Sequence, residues 1–149
     1  MTGQIATENA LKFILSSNGN GNTAFSLKSV TTGTHFTYKV KLAPSEDESK
    51  PDCWFVSFLN GPDNWENYQY LGIIRENAFR VTAKSRAGAD SPVAKAMAWT
   101  FAKLVAGEDI SSSVEVWHEG KCGRCGKKLT VPESIASGYG PECMGKVGL

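Results

Sequence analysis

A chain of 149 residues with 41% apolar content is sized for one domain with at most a small appended module. Its net charge of +1 gives no global electrostatic drive toward nucleic acid, and no segment approaches the roughly 20 apolar residues of a membrane span. The opening "MTGQIATENALKFILSSNG" has no basic start and its apolar run is broken by Lys12, so it does not read as a secretory signal. The expected address is cytoplasmic, where thiols stay reduced and clustered cysteines bind metal more often than they cross-link.

In chain order, "TENALKFILSS" predicts a short helix with Thr7 as N-cap and Ala10, Leu11, Ile14 and Leu15 at helical spacing. "SSNGNGNT" ends it and reads as a linker, since it lacks the lysine and the strand-to-helix setting of a phosphate loop. "AFSLKSV" and "HFTYKVKL" alternate around a Thr-Thr-Gly-Thr turn and predict a hairpin. Phe25, Leu27, Phe36, Tyr38 and Val40 fall on one face, Lys28, His35, Lys39 and Lys41 on the other. "APSEDESKPD" is an acidic surface loop, and "CWFVSFL", apolar on both faces, reads as a central strand. The polar loop "NGPDNWENY" carries a tryptophan. "YQYLGII" and "AFRVTAKS" predict a second hairpin around Arg75–Asn77, with Arg80 and Lys84 pointing away from Phe79 and Val81.

"DSPVAKAMAWTFAKLVAG" predicts a longer helix, capped by Asp90 or Ser91, with Pro92 in its first turn and Gly107 at its end. Val93, Met97, Phe101 and Leu104 form its apolar stripe, widened by Ala98, Trp99 and Val105. "EVWHEG" is a short strand leading into the cysteine-rich tail. The economical packing is α+β: an antiparallel five-stranded sheet with helices on one face. The expected division is residues 1–112 for this domain and 113–149 for a small C-terminal module.

Three of the four cysteines lie in that module, spaced His118-x3-Cys122-x2-Cys125-x17-Cys143. Two thiolates two residues apart can hold one tetrahedral ion if the backbone turns tightly, which Gly123 and Gly126 allow. "KKLT" follows as a short strand, "PESIASG" as about one helical turn, and "GYGPEC" sets Cys143 in the first turn of a last helix, where the helix dipole favours a thiolate. A knuckle, a hairpin-like stretch and a ligand at a helix start describe a treble-clef-like site, and zinc (Zn2+) suits thiolate and imidazole donors. His118 is the leading fourth ligand. The alternatives are Cys53, and water or another group.

The stretch "CGRCGKKLTVPESIASGYGPEC" resembles a small C-terminal zinc-binding module of bacteriophage and bacterial proteins. The upstream "GTHFTYKV … WFVSFLNGPDN … YLGIIR … EVWHEG" is similar to the N-terminal part of phage proteins that bear it. The resemblance implies a phage or prophage product acting in the host cytoplasm; it implies no activity for any residue.

A structural ion is expected rather than a catalytic one. Glu119 is the only obvious carboxylate beside the site, and neither His-x-Glu with Pro-Cys-x-x-Cys nor His-Glu-x-x-His is present. Enzyme activity is therefore the less favoured reading. Two function classes remain. Nucleic-acid binding, to single or double strands, would use Lys39, Lys41, Arg80 and Lys84 on the polar sheet face, and Lys121, Arg124, Lys127 and Lys128 around the knuckle. A protein-binding role on a host or phage complex, such as a defence machine, would use the acidic loop and the tryptophan loop.

Overall fold

The structure, a computed structural model, describes residues 2–45, 47, 49–60 and 67–146. Its elements in chain order are β1 (Gly3–Ile5), α1 (Thr7–Ile14), β2 (Thr23–Ser29), β3 (His35–Leu42), β4 (Cys53–Leu59), β5 (Tyr68–Arg75), β6 (Ala78–Val81), α2 (Pro92–Val105), β7 (Val114–His118), α3 (Pro132–Ser137) and α4 (Pro141–Lys146). The strands form one antiparallel sheet in the order β1-β7-β2-β3-β4-β5-β6.

The fold is α+β, but among the described residues the sheet has seven strands rather than the expected five. At three residues, β1 is too short to display a two-residue period. The segment read as a lead-in to the tail, β7, inserts between β1 and β2, with Val116 opposite both Ile5 and Leu27. This explains why Thr23 to Leu27 are all buried, as an edge strand would not be.

The core lies between the sheet and the two longer helices. Phe25, Leu27, Tyr38, Val40, Val56, Ile74 and Val116 meet Ala10, Phe13 and Ile14 of α1 and Val93, Met97, Phe101 and Leu104 of α2. The buried Tyr38 hydroxyl donates to the Val93 carbonyl at 2.6 Å, tying sheet to helix. Thr7 does not cap α1. It is the first helical residue, Ala6 holds the cap position without a side-chain bond, and Phe13 rather than Leu11 or Leu15 fills the core. Ser91 does cap α2, accepting from the Ala94 amide at 3.4 Å. Ala98, Trp99 and Val105 are all exposed and stand outside the buried stripe, which Ala94 and Thr100 widen instead.

Glu76 and Asn77 both adopt positive φ, 50° and 60°, which makes the β5–β6 connection the two-residue primed turn favoured by twisted hairpins. Alternate residues of β3 to β6 point away from the helices and leave an open face. The row Lys41–Phe55–Ile73–Arg80 crosses it in register. Trp65 of the tryptophan loop, and Glu46 and Glu48 of the acidic loop, lie outside the described residues. No helix among the described residues is long and apolar enough to cross a membrane.

Candidate metal centre

The chain leaves β7 at His118, turns at Glu119 and Gly120, and enters the knuckle. A bridge between Lys121 and Lys128 closes a tight hairpin around it. Within the hairpin the Cys122 amide donates to the Lys127 carbonyl at 2.8 Å, the Gly126 amide to the Cys122 carbonyl at 2.9 Å, and the Leu129 amide to the Gly120 carbonyl at 2.8 Å. Gly126 carries the turn at φ 80°, a left-handed conformation that side chains resist. The chain then forms α3 and α4, and Cys143 is the third residue of α4.

The sulfurs of Cys122, Cys125 and Cys143 all lie within 4.8 Å of one another. Around a tetrahedral zinc with bonds of ~2.3 Å, sulfurs stand about 3.8 Å apart, so a small contraction would seat the ion. All four cysteines are free thiols. A disulfide would join two of the three converging sulfurs and strand the third, whereas one cation engages all of them.

The surroundings favour negative charge on the Cys122 sulfur. Burial raises the Cys122 thiol, but the amides of Gly140, Cys125 and Arg124 aimed at it outweigh burial and leave it below its ordinary value. Cys125 is pushed up, by burial first and then by the Cys122 and Cys143 sulfurs, against the Lys127 amide. The Arg124 guanidinium donates to the Cys143 sulfur at 3.5 Å. Three thiolates this close repel one another, and a divalent cation relieves that repulsion. The donor set fits a thiolate-binding metal.

Other expected ligands are placed elsewhere. His118 is fully buried, but it is not in the sulfur group. Its Nδ1 accepts from the Gly120 amide at 3.0 Å, so its Nε2 is the donor to the Ile135 carbonyl, at 2.5 Å. The ring is thus a brace between the strand end and α3. Cys53 sits half-buried at the start of β4, opposite Arg75 and outside the sulfur group. The Glu119 carboxylate accepts from Ser26 and Thr37 on the sheet, and is likewise outside it.

The eight expected cations fall into separate neighbourhoods. On the open face Lys41 lies opposite the exposed Phe55, Lys84 lines a shallow hollow with Phe55 and the half-buried Tyr70, and Arg80 lies opposite Ile73. Lys39 lies over the Tyr68 ring at 3.9 Å, its pKa lowered by partial burial and then by nearby Lys121. Arg124, Lys127 and Lys128 line a cleft beside Cys125 and Cys143, together with Lys146.

Several residues that hold the site escaped the sequence reading. The Thr23 hydroxyl donates to the Gly123 carbonyl, and the Asn18 amide to the Arg124 carbonyl at 2.9 Å. A Cβ at Gly21 would stand 2.2 Å from the Cys125 carbonyl oxygen. The Gly-Asn segment is therefore a docking loop for the knuckle, and its glycines mark close backbone approach as much as turning. Phe13 packs edge-on to Tyr139 at 5.6 Å between ring centroids and also meets His118 at 6.4 Å.

Residues 116–148 match DUF6011, a family of unknown function. The match takes in all three clustered cysteines and the end of β7. No curated protein and no solved structure matches the chain.

Proposed function

We propose that Cys122, Cys125 and Cys143 hold one zinc ion in a treble-clef-like module, and that the protein binds single-stranded nucleic acid on the open face of its sheet. The convergence of three sulfurs within 4.8 Å supports the metal. The ion's first role is architectural: it ties the knuckle, which is packed on α1 and the docking loop, to α4. The division into residues 1–112 and 113–149 is a division of labour, with β7 joining the metal-bearing part to the sheet.

The observation that carries the nucleic-acid reading is the in-register row Lys41–Phe55–Ile73–Arg80. Phe55 is 45% exposed, and Tyr70 stands edge-on to it at 6.5 Å. An exposed ring flanked by cations lets a base stack while phosphates are neutralised, and this needs no global positive charge. A stacked base is worth about 1–3 kcal/mol, so Phe55→Ala should weaken single-strand binding by on the order of tenfold or more. Each phosphate-contacting cation should contribute about 0.7 to the slope of log affinity against log salt.

A salt-dependent gel shift with single- and double-stranded oligonucleotides tests this. The reading fails if no complex forms at low salt, or if Phe55→Ala binds like the wild type. In that outcome the same aromatic row passes to the alternative, an apolar anchor for a host or phage protein complex in the cytoplasm, which a pull-down with wild type and Phe55→Ala would register.

A further inference from the structure

Three sulfurs leave one position of a tetrahedral ion to be filled. Among the described residues, no histidine or carboxylate joins the sulfur group. Cys125 and Cys143 line a cleft of about 610 Å³, within the size range of small-ligand sites. Among the described residues its walls carry Arg124, Lys127, Lys128 and Lys146 against a single carboxylate, Glu142. No carboxylate among the described residues lies within ion-pair distance of Lys127, Lys128 or Lys146.

Charge decides which ligand suits this place. A divalent ion with three thiolates carries one net negative charge and would by itself repel an anion. Four cations and one carboxylate around the cleft reverse that balance and leave the mouth of the site net positive. Lysine and arginine head groups around one cleft suit a small polyoxygen anion, which can accept several charge-assisted hydrogen bonds at once.

We propose that the fourth position on the metal is exchangeable and takes an oxygen of an exogenous phosphate, held by Lys127 and Lys128. The step is a ligand exchange: a metal–water bond breaks, a metal–oxygen bond to phosphate forms, and nothing is oxidised or reduced. The proposal rests on the metal reading above and is independent of the sheet-face reading.

The test loads the full-length, reduced protein with cobalt(II), whose visible spectrum reports its donor set, and titrates inorganic phosphate at constant ionic strength. One equivalent of cobalt should enter with sulfur charge-transfer bands, and phosphate should then shift the visible bands saturably. Lys127→Ala/Lys128→Ala keeps the three cysteines and should keep the cobalt spectrum, while phosphate binds on the order of tenfold more weakly. Wild-type bands that ignore phosphate would overturn the exchangeable position, and a titration unchanged in the double variant would overturn the hold by Lys127 and Lys128; either result leaves the metal site standing. Failure to take up cobalt would overturn both.

Discussion

Gly123→Ala probes how the cysteine module is seated on the rest of the protein. An added Cβ would stand 2.4 Å from Cε2 and 2.8 Å from Cδ2 of Phe13, and 2.9 Å from the Ser16 hydroxyl. Gly123 does not have positive φ, so alanine meets no backbone strain there and the cost is steric. Phe13 cannot easily yield, because it is buried and packed against Tyr139 and His118. Overpacking of this kind costs about 1–3 kcal/mol. In a chain of this length that lowers the melting temperature by roughly 2–12 °C. Gly126→Ala is the control: φ is 80° and the nearest atom to its Cβ is 3.5 Å away, so its cost is backbone strain of about 1–2 kcal/mol. Phe13→Leu should recover at least ~1 kcal/mol of the Gly123→Ala loss in a double-mutant cycle and none of the Gly126→Ala loss. Urea unfolding of the variants measures all four quantities. A Gly123→Ala protein within about 0.5 kcal/mol of wild type, or no coupling to Phe13, would refute the packing argument.

Removing the buried His118 ring leaves the half-buried Gly120 amide and Ile135 carbonyl without their partner. His118→Ala should therefore cost roughly 2–4 kcal/mol and weaken metal binding while leaving one ion per chain. A cobalt spectrum that loses a nitrogen donor in this variant would show the ring to be a ligand instead of a brace. The buried Tyr38 phenol, raised above its ordinary value by burial, gives a pH signature. Above about pH 10 the unfolded phenol ionises while the folded one stays neutral, so stability should fall by ~1.4 kcal/mol per pH unit from this group. Tyr38→Phe should remove that part of the slope and cost about 1 kcal/mol at neutral pH, through the lost bond to Val93. Urea titrations at pH 8 and 11 decide it; the same alkaline slope in both proteins would contradict the assignment.

The parts of the fold that sequence made legible are those with strong local period. The hairpins β2–β3 and β5–β6, the two-sided β4 and the stripe of α2 each repeat their pattern over several residues, so each was placed from its own segment. The edge of the sheet was not legible, because β1 and β7 are defined by pairing across more than a hundred residues of chain, as in Gly3 opposite His118. A helical wheel has no sharp boundary, so Ala98, Trp99 and Val105 read as part of the α2 stripe although all three are exposed. At the metal centre, the spacing of Cys122, Cys125 and Cys143 indicated their convergence. The same spacing pointed to His118 as a ligand, since a histidine four residues before a knuckle looks alike in sequence whether it faces the ion or, as here, Gly120 and Ile135. The supports from Phe13, Asn18, Gly21 and Thr23 carry no local signature: their role exists only once the module is folded against α1 and β2.

The most direct measurement is the metal content of purified, reduced protein by elemental analysis, paired with hydrogen exchange over residues 118–146. The account predicts close to one zinc per chain, lost in Cys125→Ser together with protection of that segment. Metal-free protein whose final segment remains protected would contradict it.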